Sequence, residues 1–389
     1  MKLSILHSVL TIGLVTATGA VLAQDFEVEL PSTIAWSTYD VGSGGYNQAA
    51  AIGNALKHKY GVNLRVLPGK NDVSRAMPLN RGQVQFAATG IAGTYHAQEG
   101  LDDFAGPLWG PQPIRAVLQN NSDQLVAVVV AADAGIVEPK DLKGKRVSWL
   151  IAAPSVNAGI TGALRFGDLT WDDVEKVEFG GFGASMDGIM QNRVDAAISS
   201  SISGKAYELA KSPRGLKYLY MPAEDTEGWA RLHEVAPFVT PVVATEGANL
   251  SKDNPAISGT YPYPVLATLT TADNKLVRSM LKAMDDTFDE YRDVAPGNNG
   301  WELARQNLSW VVPYHDGAIE FFKSKGKWTD KDQANNDALI ARQELLIKTW
   351  DEVKKRNHAN EEAFIQDWLK TRYETLEAAG LDTGAPKSW

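Results

Sequence analysis

The sequence predicts an α/β protein of two similar lobes followed by a helical tail. Strand-like and helix-like segments alternate, and the alternating pattern runs through the chain twice. At 389 residues, the chain is also longer than a single hydrophobic core usually holds. The expected division is a leader at 1–23, lobe I at 24–122 and 258–330, lobe II at 133–257, and a C-terminal helical extension at 331–389.

Lobe I opens with an extended stretch, Phe26 to Ser37. Gly42-Ser43-Gly44-Gly45-Tyr46 is a tight loop, and Asn47 to Tyr60 then places Ala50, Ile52, Ala55 and Leu56 at helical spacing. Gly61 is the expected C-terminal stop. Val62 to Leu67 alternates as a strand, Asn71 to Asn80 reads as a helix, and Val84 to Ala88 as a buried strand. This order argues for a parallel sheet with crossover helices. Leu125 to Ala132 is almost uniformly apolar, as a strand buried on both faces would be.

The second lobe repeats the first. Val147 to Ile151 is its first strand, Ala153 to Asn157 a loop, and Ala158 to Phe166 a helix. Val177 to Phe179, Ala184 to Asn192 and Asp195 to Ser199 continue as strand, helix and strand, and Leu216 to Met221 adds another strand. Tyr261 to Thr271 is bounded by prolines and returns the chain to lobe I. Asp273 to Tyr291 is a helix. Asp330 to Ala379 is helical, charged and tryptophan-bearing, and reads as two amphipathic helices covering lobe I rather than as a dimerisation arm.

The start of the chain addresses it for export. Lys2 precedes a largely apolar run, Leu3 to Ala20, and Val21-Leu22-Ala23 sets small residues three and one before a cut at Gln24. Asp25, Glu27 and Glu29 follow, with no basic stop-transfer cluster, so a cleaved secretory leader and a periplasmic location are expected. The absence of cysteine excludes disulfides, thiolate metal sites and cysteine nucleophiles. The net charge of −9 and the lack of a basic stripe argue against a nucleic-acid partner.

Four stretches, taken together in this order, resemble the TAXI family, the solute-binding subunits of one class of TRAP transporters. They are the Gly42–Tyr46 loop; Gly69-Lys70-Asn71-Asp72-Val73-Ser74-Arg75 with Arg81 to Phe86; Asp141 to Val147 with Gln191 to Ala196; and Tyr314-His315-Asp316-Gly317-Ala318-Ile319-Glu320-Phe321-Phe322. Gln85 stands where that family usually has aspartate, and Ala153-Pro154-Ser155 where it often has serine-glycine. The resemblance spans about 32–328 and implies a two-lobed periplasmic-binding-protein (venus-flytrap) fold; the additional C-terminal helices read from the sequence make a tail longer than that family usually has. It also implies a TRAP membrane complex as partner. Cargo would be a small organic anion, a carboxylate or amino acid. No cofactor is implied, and a monomer is expected.

A binding protein of this kind holds its ligand at the carboxyl ends of its strands. In lobe I that singles out Ser43, Gly44, Gly45 and Tyr46, where glycines free the backbone and a helix N-terminus favours an anion. Lys70 and Arg75 offer charge to a carboxylate. Asn71 sits at a helix start, where capping is the competing role, and Thr89 ends a strand. In lobe II the corresponding places are Ser155, Val156 and Asn157 between a strand and a helix, and Ser200 and Ser201 after a strand. Tyr95 and Phe182 are weaker choices.

Catalytic signatures are missing. There is no G-x-S-x-G elbow and no H-E-x-x-H. His58, His96, His233, His315 and His358 are scattered without ligand spacing, and the acidic run Asp285, Asp286, Asp289, Glu290 reads as a solvated helix face. A binding protein rather than an enzyme is therefore expected. An ABC-importer receptor is the nearest alternative, and a periplasmic hydrolase using a carboxylate pair the more distant one. Closure is expected about the crossing strands near Leu125–Ala132 and Val265–Thr271.

Overall fold

The computed structural model describes residues 26–39, 41, 43–69, 71–151 and 154–384. The leader, Gly42, Lys70 and Ala153 lie outside the described residues. Lobe I begins with β1 (Thr33–Thr38), α1 (Gly44–Tyr60), β2 (Asn63–Pro68), α2 (Asp72–Asn80) and β3 (Phe86–Thr89). A π-helical turn (Ala92–His96) and α3 (Ala97–Glu99) lead to β4 (Ile114–Gln119). Local chemistry sets these boundaries. The Ser43 hydroxyl accepts from Tyr46 N at the start of α1, and Gly61 closes it at φ 70°. Asn71 and Ser74 form a reciprocal capping box at the start of α2.

Lobe II runs β5 (Val126–Ala131), β6 (Arg146–Leu150), α4 (Pro154–Phe166), β7 (Glu175–Phe179), α5 (Phe182–Met190) and β8 (Ala196–Ser200). It continues through α6 (Gly204–Lys211), β9 (Leu216–Tyr218), α7 (Thr226–His233) and an antiparallel pair, β10 (Thr240–Ala244) and β11 (Ala256–Thr260). The chain returns to lobe I as β12 (Val265–Leu269), α8 (Asn274–Asp286), α9 (Phe288–Tyr291) and α10 (Asp316–Ser324). It ends in α11 (Asp330–Lys354) and α12 (Glu361–Ala378).

The two main sheets share one topology. Lobe I is ordered β2-β1-β3-β12-β4 and lobe II β7-β6-β8-β5-β9. In each, three strands are parallel and the fourth is antiparallel to both its neighbours. The expected all-parallel sheets are thus mixed. The reason is the crossing: β5 enters lobe II from lobe I, β12 enters lobe I from lobe II, and each runs against the strands it joins.

Other expectations shift locally. α4 starts at Pro154, so Ser155, Val156 and Asn157 form the first turn of a helix and not a loop; proline is well suited to that position. The helix expected at 273–291 breaks at Thr287, whose hydroxyl bonds back to Ala283 O at 2.7 Å. The acidic run is a solvated face only in part: Asp289 and Glu290 are exposed, while Asp285 and Asp286 are half-buried. Asp285 pairs with Lys325 at 2.8 Å, Asp286 accepts from Tyr60 Oη at 2.5 Å, and Glu290 meets His58 at 2.9 Å.

One apolar core runs through both lobes, joining Trp36 and Phe86 to Val128 and Ile160 by way of Phe238 and Tyr261. α11 and α12 pack on each other through Trp350, Phe364 and Trp368, and bury Ala105 of lobe I. Trp368 Nε1 donates to Gly100 O at 2.6 Å, and Gln343 Oε1 accepts from Arg115 at 2.5 Å. The tail therefore covers lobe I. Among the described residues no helix is long and apolar enough to cross a membrane.

Candidate functional site

The carboxyl ends of β1, β2 and β3 carry Tyr39, Gly69 and Thr89, and the N-termini of α1 and α2 stand beside them. In lobe II, the ends of β6, β7 and β8 likewise lead into the N-termini of α4 and α5 and into the Ser200–Ser203 turn. The two sets meet directly. Ser155 Oγ of α4 donates to Asp72 Oδ2 of α2 at 3.1 Å. A Cβ placed on Gly44 would lie 3.9 Å from Ile202 Cδ1.

Arg75 is the centre of the lobe I side and only 5% exposed. Its Nη1 donates to Gly69 O at 3.2 Å, its Nε to Thr89 Oγ1 at 3.5 Å, and its Nη2 to Asp72. The guanidinium lies over the Tyr39 ring, 4.1 Å from its centroid, a contact worth about 0.5–2 kcal/mol. Burial works against the charge on Arg75, but the adjacent Asp72 carboxylate, together with Tyr39 and Tyr263, outweighs it and holds the guanidinium protonated.

Tyr39 is seated between two glycines. A Cβ on Gly45 would come within 2.5 Å of its ring, and one on Gly90 within 2.6 Å of its hydroxyl. Its other neighbour is Tyr263 from the crossing segment, with centroids 4.9 Å apart. Burial raises both phenols, Tyr263 to about 12, where Asp72 adds to the effect and Arg75 opposes it. Both therefore remain neutral hydrogen-bonding groups at ordinary pH. Among the described residues, the result is a polar, aromatic floor with one fixed cation, Arg75, paired to the Asp72 carboxylate.

The residues singled out from sequence fall into two groups. Gly44, Gly45, Arg75 and Ser155 lie where the lobes meet or around Tyr39. Thr89 lies beneath Arg75, fully buried. Several of the others make structural contacts. Ser43 caps α1, and the backbone N–H of Tyr46 is the donor to that cap. Asn71 caps α2 from an exposed position. Asn157 is buried, its amide bonded to Leu150 N and O at 2.9 and 2.8 Å. Val156 packs against the core. Ser200 Oγ donates to Gln124 Oε1 at 2.9 Å. Ser201 Oγ accepts from Leu125 N at 3.0 Å and donates to Glu246 O at 2.7 Å, so it braces the start of β5. Phe182 is partly exposed at the start of α5, and Lys70 lies outside the described residues.

Three contributors escaped the reading of the sequence as site residues: Tyr39, Asp72 and Tyr263. Asp72 had a signal in its i,i+3 spacing from Arg75, which puts both on one helix face. Tyr39 and Tyr263 are 224 positions apart in sequence, and no local pattern joins them.

Among solved structures, the chain is similar to an ancestral arginine-binding protein bound to arginine, at 17% identity over 68% of this chain and 98% of that one, with a TM-score of 0.40. It is also similar to the periplasmic aliphatic sulphonate binding protein SsuA from Escherichia coli, at 14% identity over 87% and 97% of the two chains, with a TM-score of 0.43. The alkanesulfonate-binding protein SsuA from Xanthomonas axonopodis pv. citri bound to MOPS gives 12% identity over 92% and 96%, with a TM-score of 0.42. No curated protein matches. Residues 39–326 match the NMT1-like family, a span that takes in lobe II and the elements of lobe I from α1 to α10, and the chain belongs to that family.

Proposed function

We propose that this chain is an extracytoplasmic solute-binding receptor. It holds a small organic anion or amino acid between its lobes by non-covalent contacts and delivers it to a membrane transporter without transforming it. The observation that supports this most is the meeting of two lobes built on like sheets. Each follows strand ends with helix N-termini, and Asp72 and Ser155, in the first turns of α2 and α4, touch from one lobe to the other. Helix N-termini favour an anionic group, Arg75 supplies a fixed positive charge, and Tyr39 and Tyr263 supply apolar faces and hydroxyls. The leader read at 1–23 supports export. The four family-like stretches support a TAXI-type receptor serving TRAP membrane subunits.

The experiment is a thermal-shift screen of the purified mature protein against organic acids, amino acids, sulfonates and aromatic acids. A true ligand at about 100 times its Kd stabilises the fold by about 2.7 kcal/mol. That ligand should be recovered unchanged, and Arg75→Gln should abolish the shift. Turnover of a compound without stabilisation overturns the reading. Uptake by TRAP membrane subunits, reconstituted with this receptor, tests the partner; dependence on an ATPase would assign it to an ABC importer.

A further inference from the structure

Asp72 uses both of its oxygens. Oδ1 faces Arg75 Nη2, and Oδ2 accepts from Ser155 Oγ of the opposite lobe at 3.1 Å. The ion pair is shielded, with side-chain exposures of 6% for Arg75 and 14% for Asp72. The guanidinium does not depend on Asp72 for its position: Gly69 O, Thr89 Oγ1 and the Tyr39 ring hold it from other sides. Nor does α2 need Asp72 as its cap, because Asn71 and Ser74 close that end between themselves. What Asp72 supplies is a carboxylate on the cleft cation and a bond to the far wall. Those are the two things a bound carboxylate would supply. We infer that Asp72 is a built-in stand-in for the ligand's carboxylate: it occupies Arg75 and, through Ser155, draws the lobes together, and a ligand carboxylate binds by replacing it.

The inference rests on the solute-binding reading and adds to it a residue that sets affinity. Replacing one carboxylate on a guanidinium by another is a near-even exchange, so the native affinity for a carboxylate is held down by the competitor next door. Removing the competitor's charge leaves a buried guanidinium whose best partner is then the ligand.

The test compares the wild-type protein with Asp72→Asn and Ser155→Ala. Isothermal titration with acetate, succinate and benzoate reads carboxylate affinity. Small-angle scattering in chloride buffer free of carboxylates reads lobe separation. At least one of the three acids should bind Asp72→Asn tenfold or more tighter than wild type. Both variants should show a larger radius of gyration, Ser155→Ala without the gain in affinity. Equal or weaker binding by a folded Asp72→Asn overturns the competition, and identical scattering from all three proteins overturns the bridging. If none of the proteins binds any small molecule, the solute-binding reading falls, while scattering still decides whether Asp72 and Ser155 hold the lobes.

Discussion

Glu99 and Arg372, separated by 273 positions, form an ion pair sealed inside the protein, where α12 meets the end of α3. Arg342 of α11 completes the cluster with two bonds to the same carboxylate, at 2.8 and 2.7 Å. Arg372 also reaches Thr383 O at 2.7 Å, and a Cβ on the nearby Gly384 would come within 2.4 Å of Tyr95 Oη. The extension is thus clamped to the segment that follows β3.

Glu99→Gln should destabilise the protein by about 3–5 kcal/mol, because it leaves the buried Arg372 guanidinium and the largely shielded Arg342 facing a neutral amide. Burial alone would raise the Glu99 carboxyl, but Arg372 and Arg342 together hold it below its ordinary value of 4.5. A carboxyl depressed in the folded state contributes stability above its unfolded pKa and loses it as pH falls through the folded value. Wild-type stability should therefore drop below about pH 4.5, and Glu99→Gln should flatten that part of the profile. Urea titrations at a series of pH values measure both.

Phe238 of lobe II should act as a structural joint. It is fully buried against Tyr95 and His96 of lobe I and Tyr261 of the crossing segment, with centroids 5.7, 6.0 and 5.6 Å away. Trp310 Nε1 donates to its carbonyl at 3.4 Å. Phe238→Ala should cost about 3–5 kcal/mol, measured by chemical denaturation. A cost below about 0.5 kcal/mol, the size of a surface change, would mean that the lobes do not share a core there.

Gly90→Ala should weaken ligand binding while leaving the fold intact. A methyl group 2.6 Å from the Tyr39 hydroxyl forces that ring to move, and the ring carries one face of Arg75. Circular dichroism should be unchanged, and the thermal shift produced by the best ligand should be lost. An undiminished shift would show that Tyr39 has no part in the site.

Asn157→Ala should behave in the opposite way. It strips the hydrogen-bond partner from both Leu150 N–H and C=O, at a cost of about 1–3 kcal/mol. Ligand affinity should remain within about twofold, since the amide faces β6. Denaturation and titration of the same preparation separate the two effects.

Much of the architecture was legible along the chain. The Gly61 stop, the Asn71 start of α2 and the apolar run that became β5 are local signals, carried by periodicity, capping chemistry and burial over a few residues. Such preferences act between neighbours in sequence and survive without knowledge of the rest. The same signals misplaced what depends on direction. Nothing in Leu125–Ala132 says that the strand will run against β8, because an apolar run buried on both faces reads alike either way.

The site itself came from distant parts. The candidate loops were found because helix N-termini after strands are recognisable, yet most of their polar side chains proved to be caps and braces. The groups brought together where the lobes meet are Arg75, its ring partner Tyr39, its carboxylate Asp72, and Ser155 and Tyr263 arriving from elsewhere in the chain. Composition and periodicity set which segments become strands and helices, since backbone preference and burial are local. Which hydroxyl meets which carboxylate, and whether Asn157 faces a ligand or its own backbone, waited on the packing of two lobes against each other. Those contacts depend on three-dimensional proximity that sequence distance does not encode.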